Sequence, residues 1–207
     1  MFRKRLSMPL LLLLVLPSLG AAATSVTECD RLAAHPEDPD RVAAGVETKD
    51  VDIPRAIAAC EADVAKSAAG SPDYARLQYQ LGRAYFYDKQ TAKAVPPLER
   101  AAAAGSEQAQ FVLGYLIDNG LQGIAKDPCR VEDLWLRSAR AGRFAAQVSY
   151  PHHLTRGLFK GCKSQASSEE MRGFLQAAAS RAGNNYYQSL LVSILQGELE
   201  AFVATSK

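Results

Sequence analysis

The apolar and polar positions of this chain never settle into the sustained alternation of a half-buried strand. Past residue 24 Ala is abundant while Ile and Thr are scarce, which favours helices over sheet. The pattern is also self-similar. Leu81-Gly82 returns as Leu113-Gly114, 32 residues on, and the run Leu98–Gly105 returns as Trp135–Gly142, 37 residues on. That difference of five predicts an enlarged loop around Gly120–Asp127 in the second unit. A third, weaker copy runs from Phe144 to Gly183. A period of about 35–40 residues is the mark of stacked helical hairpins.

Each unit reads as two helices brought close by small residues. In the first, Gly82, Ala94, Ala101 and Ala102 allow the approach, and Leu81, Tyr85 and Leu98 fill the space between. Gly105, Gly142 and Gly183 stand where a helix ends in a left-handed cap. Ser71-Pro72-Asp73 predicts a helix start with Pro in the first turn. Pro96-Pro97 conflicts with a helix interior, where a proline costs about 3 kcal/mol or more. The second helix of that unit is therefore expected to start late, near Val95, after a short turn. Residues 24–52 form an irregular lead-in rich in Pro and Asp, residues 53–183 the repeats, and residues 184–207 a capping helix (Asn184–Gln196) and tail.

These residues carry a family resemblance. Leu81, Gly82, Tyr85, Ala94, Leu98 and Ala101 fall on the consensus places of a tetratricopeptide repeat. The second unit, Leu113–Gly120 with Gly123–Asp127, Trp135, Ala139 and Gly142, resembles a Sel-one-like repeat (SLR). Ile53–Lys66 is similar to the second helix of a degenerate leading unit. The third unit departs from the pattern, with Tyr150-Pro151 in place of Leu-Gly. The resemblance implies an all-α fold, a right-handed superhelical α/α solenoid of stacked hairpins of a secreted bacterial type. It also implies that the first helix of each hairpin lines a concave face.

The N-terminus is read separately. Arg3–Arg5, the apolar run Met8–Leu16 and the small-residue exit Gly20–Ala23 are the three parts of a secretory signal, with cleavage expected after Ala23. Met8–Ala23 is 16 residues interrupted by Pro9, Pro17, Ser18 and Gly20, whereas a membrane span needs roughly 20 apolar residues. Cys29 lies too far beyond the exit to carry a lipid. The charge then changes meaning. The full chain has 24 Lys+Arg against 22 Asp+Glu, and removal of Arg3, Lys4 and Arg5 leaves 21 against 22. A basic field that would hold nucleic acid is not expected.

Export places Cys29, Cys60, Cys129 and Cys162 in an oxidising space, where an even count reads as bridges. There is no C-x-x-C, and the spacing is a poor match to a zinc site. Three connectivities are open, beside the alternative of buried free thiols. The hairpin arrangement puts Cys129, at the opening of one helix, beside Cys162, after its antiparallel neighbour. Cys29–Cys60 then remains, fastening the lead-in to the first helix. Each bridge would close a loop of just over 30 residues, worth roughly 3–4 kcal/mol.

Catalytic signatures are absent: the chain holds no G-x-S-x-G, S-x-x-K, H-E-x-x-H, G-x-G-x-x-G or P-loop. His152-His153 are adjacent and diverge by about 100° on a helix, so they do not readily share a metal. Glu169 and Glu170 read as first-turn residues after Ser167-Ser168. No cofactor and no metal is expected. The resemblance places Arg76, Tyr79, Arg83, Phe86 and Tyr87 of unit one on the concave face. Unit two adds Gln108, Phe111, Tyr115, Asp118 and Asn119, and unit three Val148, His152, Thr155 and Arg156. Tyr79 and Phe111 are expected to pack between hairpins. Arg76, Arg83, Phe86, Tyr87, Tyr115, Asp118, Asn119, His152 and Arg156 are the candidate contacts, with Arg83, Tyr87, Tyr115, Asn119 and His152 foremost. Aromatics with Arg and amides suit a peptide groove. The reading is an exported adaptor that binds a protein or peptide; the alternative is a cell-envelope ligand-binding protein or enzyme acting on a peptidoglycan-type substrate.

Overall fold

The computed structural model describes residues 25–163 and 166–205; the export segment expected over 1–23 lies outside them. Among the described residues every regular element is helical. A short α1 (Glu28–Ala33) and α2 (Ile53–Val64) lead into three hairpins, α3 (Tyr74–Tyr87) with α4 (Thr91–Ala103), α5 (Glu107–Asn119) with α6 (Pro128–Arg140), and α7 (Phe144–Thr155) with α8 (Ser168–Ala182). A final helix α9 (Tyr186–Thr205) closes on α7 and α8. Each element packs mainly on its neighbours in sequence, as in an α/α solenoid.

The repeated glycines set the distance within hairpins. A Cβ at Gly82 would lie 2.6 Å from Leu98 Cγ, and one at Gly114 would lie 2.6 Å from Trp135 Cδ1. These are the residues that the sequence pairs, so the enlarged loop after Gly120 lengthens the connection without shifting the contact. Trp135 Nε1 also donates to the Phe111 carbonyl at 3.0 Å. Between hairpins the chain turns at Gly105 and Gly142, with φ of 101° and 104°, a conformation that L side chains resist. The following N–H groups of Ser106 and Arg143 return to Ala101 and Ser138. Two further residues recur in register: Gln110 Nε2 donates to Ala102 O at 3.2 Å and Gln147 Nε2 to Ala139 O at 3.4 Å. Each ties the first helix of a hairpin to the end of the helix before it.

Four local expectations are corrected. α4 starts at Thr91 and carries Pro96 and Pro97 inside it, rather than starting near Val95. The carbonyls that lose their helical donors belong to Ala92 and Lys93, which are exposed and can bond to water, while Ala94, Leu98, Ala101 and Ala102 bury the other face against α3. α3 begins at Tyr74 with Asp73 as its cap, so Pro72 lies in the turn before it. α9 passes through Gly197 to Thr205, because Leu199 is buried and Phe202 and Val203 pack on the core beyond the glycine. The lead-in is irregular except for a 3-10 turn at Thr48–Asp50 and for α1, whose start is fixed by a reciprocal cap between Thr27 and Asp30.

Cys29 bridges to Cys60, with Cα atoms 4.5 Å apart, and Cys129 to Cys162, with Cα atoms 5.1 Å apart. This is the pairing expected. Beside the first bridge, Arg76 reaches from α3 to the buried Asp30 of α1, Nε at 2.8 Å from one oxygen and a terminal nitrogen at 3.3 Å from the other, and Gln80 donates at 3.0 Å. Arg83 then donates to the carbonyls of Ala33, Ala34 and Val46 at 2.7–2.9 Å. Farther along, Arg143 at the head of α7 pairs with Glu37 at 3.0 Å. The lead-in is thereby strapped across the first helices of the hairpins.

Asp38, inside that strap, is 1% exposed; Asp40 N donates to its Oδ1, and its Oδ2 has no partner. Burial raises its carboxyl to about 6 despite Arg143 and Arg76 nearby. Nearby His35 is held at about 4 by burial and by the charges of Arg83 and Arg143.

Two predictions follow from packing and charge. Gly114→Ala should cost about 1–3 kcal/mol by overlap with Trp135, whereas Gly173→Ala, where nothing lies within 4 Å, should add about 0.5–1 kcal/mol in urea unfolding. Asp38→Asn should stabilise the protein by about 2 kcal/mol at pH 7–8. The folded carboxyl binds its proton more tightly than the unfolded one, so the burial penalty is complete above about pH 6 and absent below about pH 4. The advantage of the Asn variant should vanish across that window, as read from its unfolding midpoint against that of the parent. His35 has the opposite sign, losing stability as pH falls from about 6.5 to about 4, and cancels in this comparison because both proteins carry it.

Candidate partner-binding site

A half-open cavity of roughly 200 Å³ lies between the first helices of hairpins one and two. α3 supplies Tyr79, Arg83, Phe86 and Tyr87, and α5 supplies Gln108, Phe111, Val112 and Tyr115. The spacing explains the convergence. Residues 79, 83, 86 and 87 share one face of α3, and 108, 111, 112 and 115 share one face of α5. His35 of the strapped lead-in closes one side.

The walls are aromatic and their polar groups are largely committed. Tyr79 is fully buried, and burial raises its hydroxyl well above the usual range. Gln108 Oε1 is buried without a partner. Arg83 Nε donates to the Tyr87 hydroxyl at 2.9 Å, and its guanidinium lies 4.9 Å from the centre of that ring. The Tyr87 hydroxyl also meets Thr48 at 2.9 Å. Phe111 stacks on Trp135, centroids 5.6 Å apart. Tyr115 stands at the mouth, 43% exposed.

Four of the sequence candidates, Arg83, Phe86, Tyr87 and Tyr115, thus meet in one place. Two placements are corrected. Arg76 is 3% exposed and Arg83 equally so; both are turned to the lead-in, because the capped α1 and the segment after it present a carboxylate and carbonyls that need donors. The remaining candidates lie apart from the cavity. Asp118 meets His153 Nε2 at 3.3 Å, and Asn119 donates to the Tyr115 carbonyl at 2.9 Å. His152 and Arg156 both reach Glu198 of α9, each at 3.1 Å. His153 has its other nitrogen against Ser149 O at 3.1 Å, so both ring nitrogens are engaged.

Sequence reasoning missed two lining residues. Val112 stands one residue after Phe111 and three before Tyr115, so helical spacing alone would have found it. His35 carried no such signal. It reaches the cavity through contacts about 50 residues away in the chain, between Arg83 and the carbonyls of Ala33 and Ala34.

No protein-family model matches this chain, and no curated protein matches it. Among solved structures it is similar to a protective antigen present in uropathogenic Escherichia coli strains and displaying an SLR fold. That likeness has 24% identity and a TM-score of 0.54, and it covers 72% of this chain and 32% of the antigen. The chain therefore spans about a third of that structure's length. With the repeated glycine contacts and hairpin order described above, the fold of this protein is an SLR-like helical-repeat solenoid.

Proposed function

We propose that this protein is an exported helical-repeat adaptor that binds a protein or peptide partner through the concave face formed by the first helices of its hairpins. The observation that carries this reading is the convergence of Phe86, Tyr87, Phe111 and Tyr115 from two repeats on one half-open cavity. Aromatic residues around an accessible pocket suit an anchoring side chain of a partner. Export is supported by the three-part N-terminal segment and by two disulfides, which persist outside the reducing cytosol. No helix among the described residues is long and apolar enough to cross a membrane.

The export reading is tested by the intact mass of protein recovered from the periplasm or medium. It should correspond to a chain that begins at Thr24 with all four cysteines oxidised; two or more free thiols, or a retained N-terminus, overturn it. The partner reading is tested by capture from envelope extract. Tyr115→Arg at the cavity mouth and Val112→Trp within it should each lose the proteins that the parent retains, with unfolding midpoints unchanged. Recovery of the same proteins by both variants overturns the site. Arg83→Glu is unsuitable as a probe, because it would also release the lead-in.

A further inference from the structure

We propose that two copies of this chain associate through the outward face of α9, packed antiparallel about Ile194. The proposal is independent of the concave-face reading, which concerns α3 and α5.

α9 has two apolar faces. Val192, Leu195 and Leu199 are buried on the side that packs against α7 and α8. Tyr187, Leu190, Leu191 and Ile194 recur every three or four residues on the opposite side, and Gly197 and Ala201 continue that stripe. Its four large side chains are 41–81% exposed. No charged residue interrupts the helix from Tyr186 to Gly197. A helix that is apolar all round is ordinarily covered all round.

Charge narrows the occupant. Both acidic residues of α9 are answered within the chain, Glu198 by His152 and Arg156 at 3.1 Å each and Glu200 by Arg172 at 2.6 Å. Neither is left to select a cationic partner. An amphipathic helix lying on a membrane surface carries Lys or Arg on its polar face, and α9 has none.

The stripe is instead complementary to itself, bulky before Ile194 and small after it. When two α9 helices run antiparallel with their Ile194 residues together, Tyr187 of one lies over Ala201 of the other, and Leu191 over Gly197. Leu190 passes Glu198, whose carboxylate is drawn to α7. A Cβ at Gly197 would meet nothing within 4 Å in its own chain, so the space beside it is open to the second copy. Parallel pairing would set Tyr187 against Tyr187 and hold the two glycines apart.

The area is sufficient. A tyrosine buries about 150–250 Å² when covered, so Tyr187, the flanking Tyr186 and the three aliphatic side chains present on the order of 500 Å² per copy. Two copies cover on the order of 1,000 Å², the lower bound of a specific interface, before Gly197 and Ala201 are counted. A Kd on the order of 10 µM is expected.

Sedimentation equilibrium of the disulfide-bonded protein from about 1 to about 200 µM tests this, and should show monomer and dimer in exchange. Ile194→Arg sets two cations together at the centre of the interface and should raise the Kd at least about a hundredfold. Gly197→Leu, which its own chain accommodates, should raise it about tenfold. Gly173→Leu, equally open but on α8 beside the exposed Arg172 and Gln176, should leave it unchanged. Circular dichroism of each variant should match the parent, and Leu190→Glu replaces Ile194→Arg should that variant fail to fold. A parent that is monomeric at 200 µM, whether or not it binds phosphatidylglycerol vesicles, overturns the proposal. So does a dimer that persists in Ile194→Arg, and equal effects of Gly197→Leu and Gly173→Leu overturn the antiparallel register.

Discussion

The buried pair between Asp30 and Arg76 is the constraint on which the first half of the molecule depends. Burial alone would push the Asp30 carboxyl up, but hydrogen bonds from Arg76, the Thr27 backbone and Gln80 outweigh it and hold it below its usual value. A buried ion pair is a weak source of net stability, because both charges lose water. Its consequence is geometric. Removing either partner strands the other, so α1 has one position on α3, and the neighbouring Cys29–Cys60 bridge holds the same register covalently. Once α1 is seated, the carbonyls of Ala33 and Ala34 fall against Arg83, and His35 follows as a wall of the cavity.

The seating of α1 also decides what the candidate residues of α3 face. Positions 83, 115 and 152 are equivalent in the three first helices, and the resemblance places all three on one face. The structure gives each a different occupation. Arg83 grips the lead-in, Tyr115 stands open at the cavity mouth, and His152 meets Glu198 of the closing helix. A repeat exposes equivalent positions only where equivalent neighbours flank it. At the two ends of a short solenoid the flanking elements are not repeats, so they draw on the polar side chains that an inner unit would leave free. Tyr115, on the middle hairpin, escapes both ends and stands at the mouth of the half-open cavity.

The repeat itself was largely readable from the sequence. Leu81-Gly82 and Leu113-Gly114 were visible as a recurrence, and Leu98 and Trp135 as their partners, because close helix approach requires glycine and leaves a fixed mark. The enlarged loop was readable as a difference of intervals. Hairpin geometry gives Cys129–Cys162, and Cys29–Cys60 is the pair that remains. Pro96-Pro97 sits inside a helix despite its local cost, because burial of Ala94, Leu98 and Ala101 on α3 holds that helix. The cap of α1 was present as Thr27-Glu28-Cys29-Asp30, but a six-residue helix has no periodicity to announce it. The equivalent Gln78, Gln110 and Gln147 were also present; two of them tie hairpin to hairpin, while Gln78 accepts from Arg100 at 2.9 Å.

No single segment of the chain contains the site. Its aromatic walls come from α3 and α5 and obey helical spacing, so the sequence contains them. Its polarity is decided by placements across the fold: Arg83 against the lead-in, and His35 under the charges of Arg83 and Arg143. Without the lead-in, Arg83 would face solvent as a free cation-bearing fork, and the groove would favour an acidic peptide. With it, that charge is directed into backbone carbonyls and the cavity offers aromatic rings. The segment that contributes least regular structure to the fold therefore sets the chemistry of the surface that the repeats build.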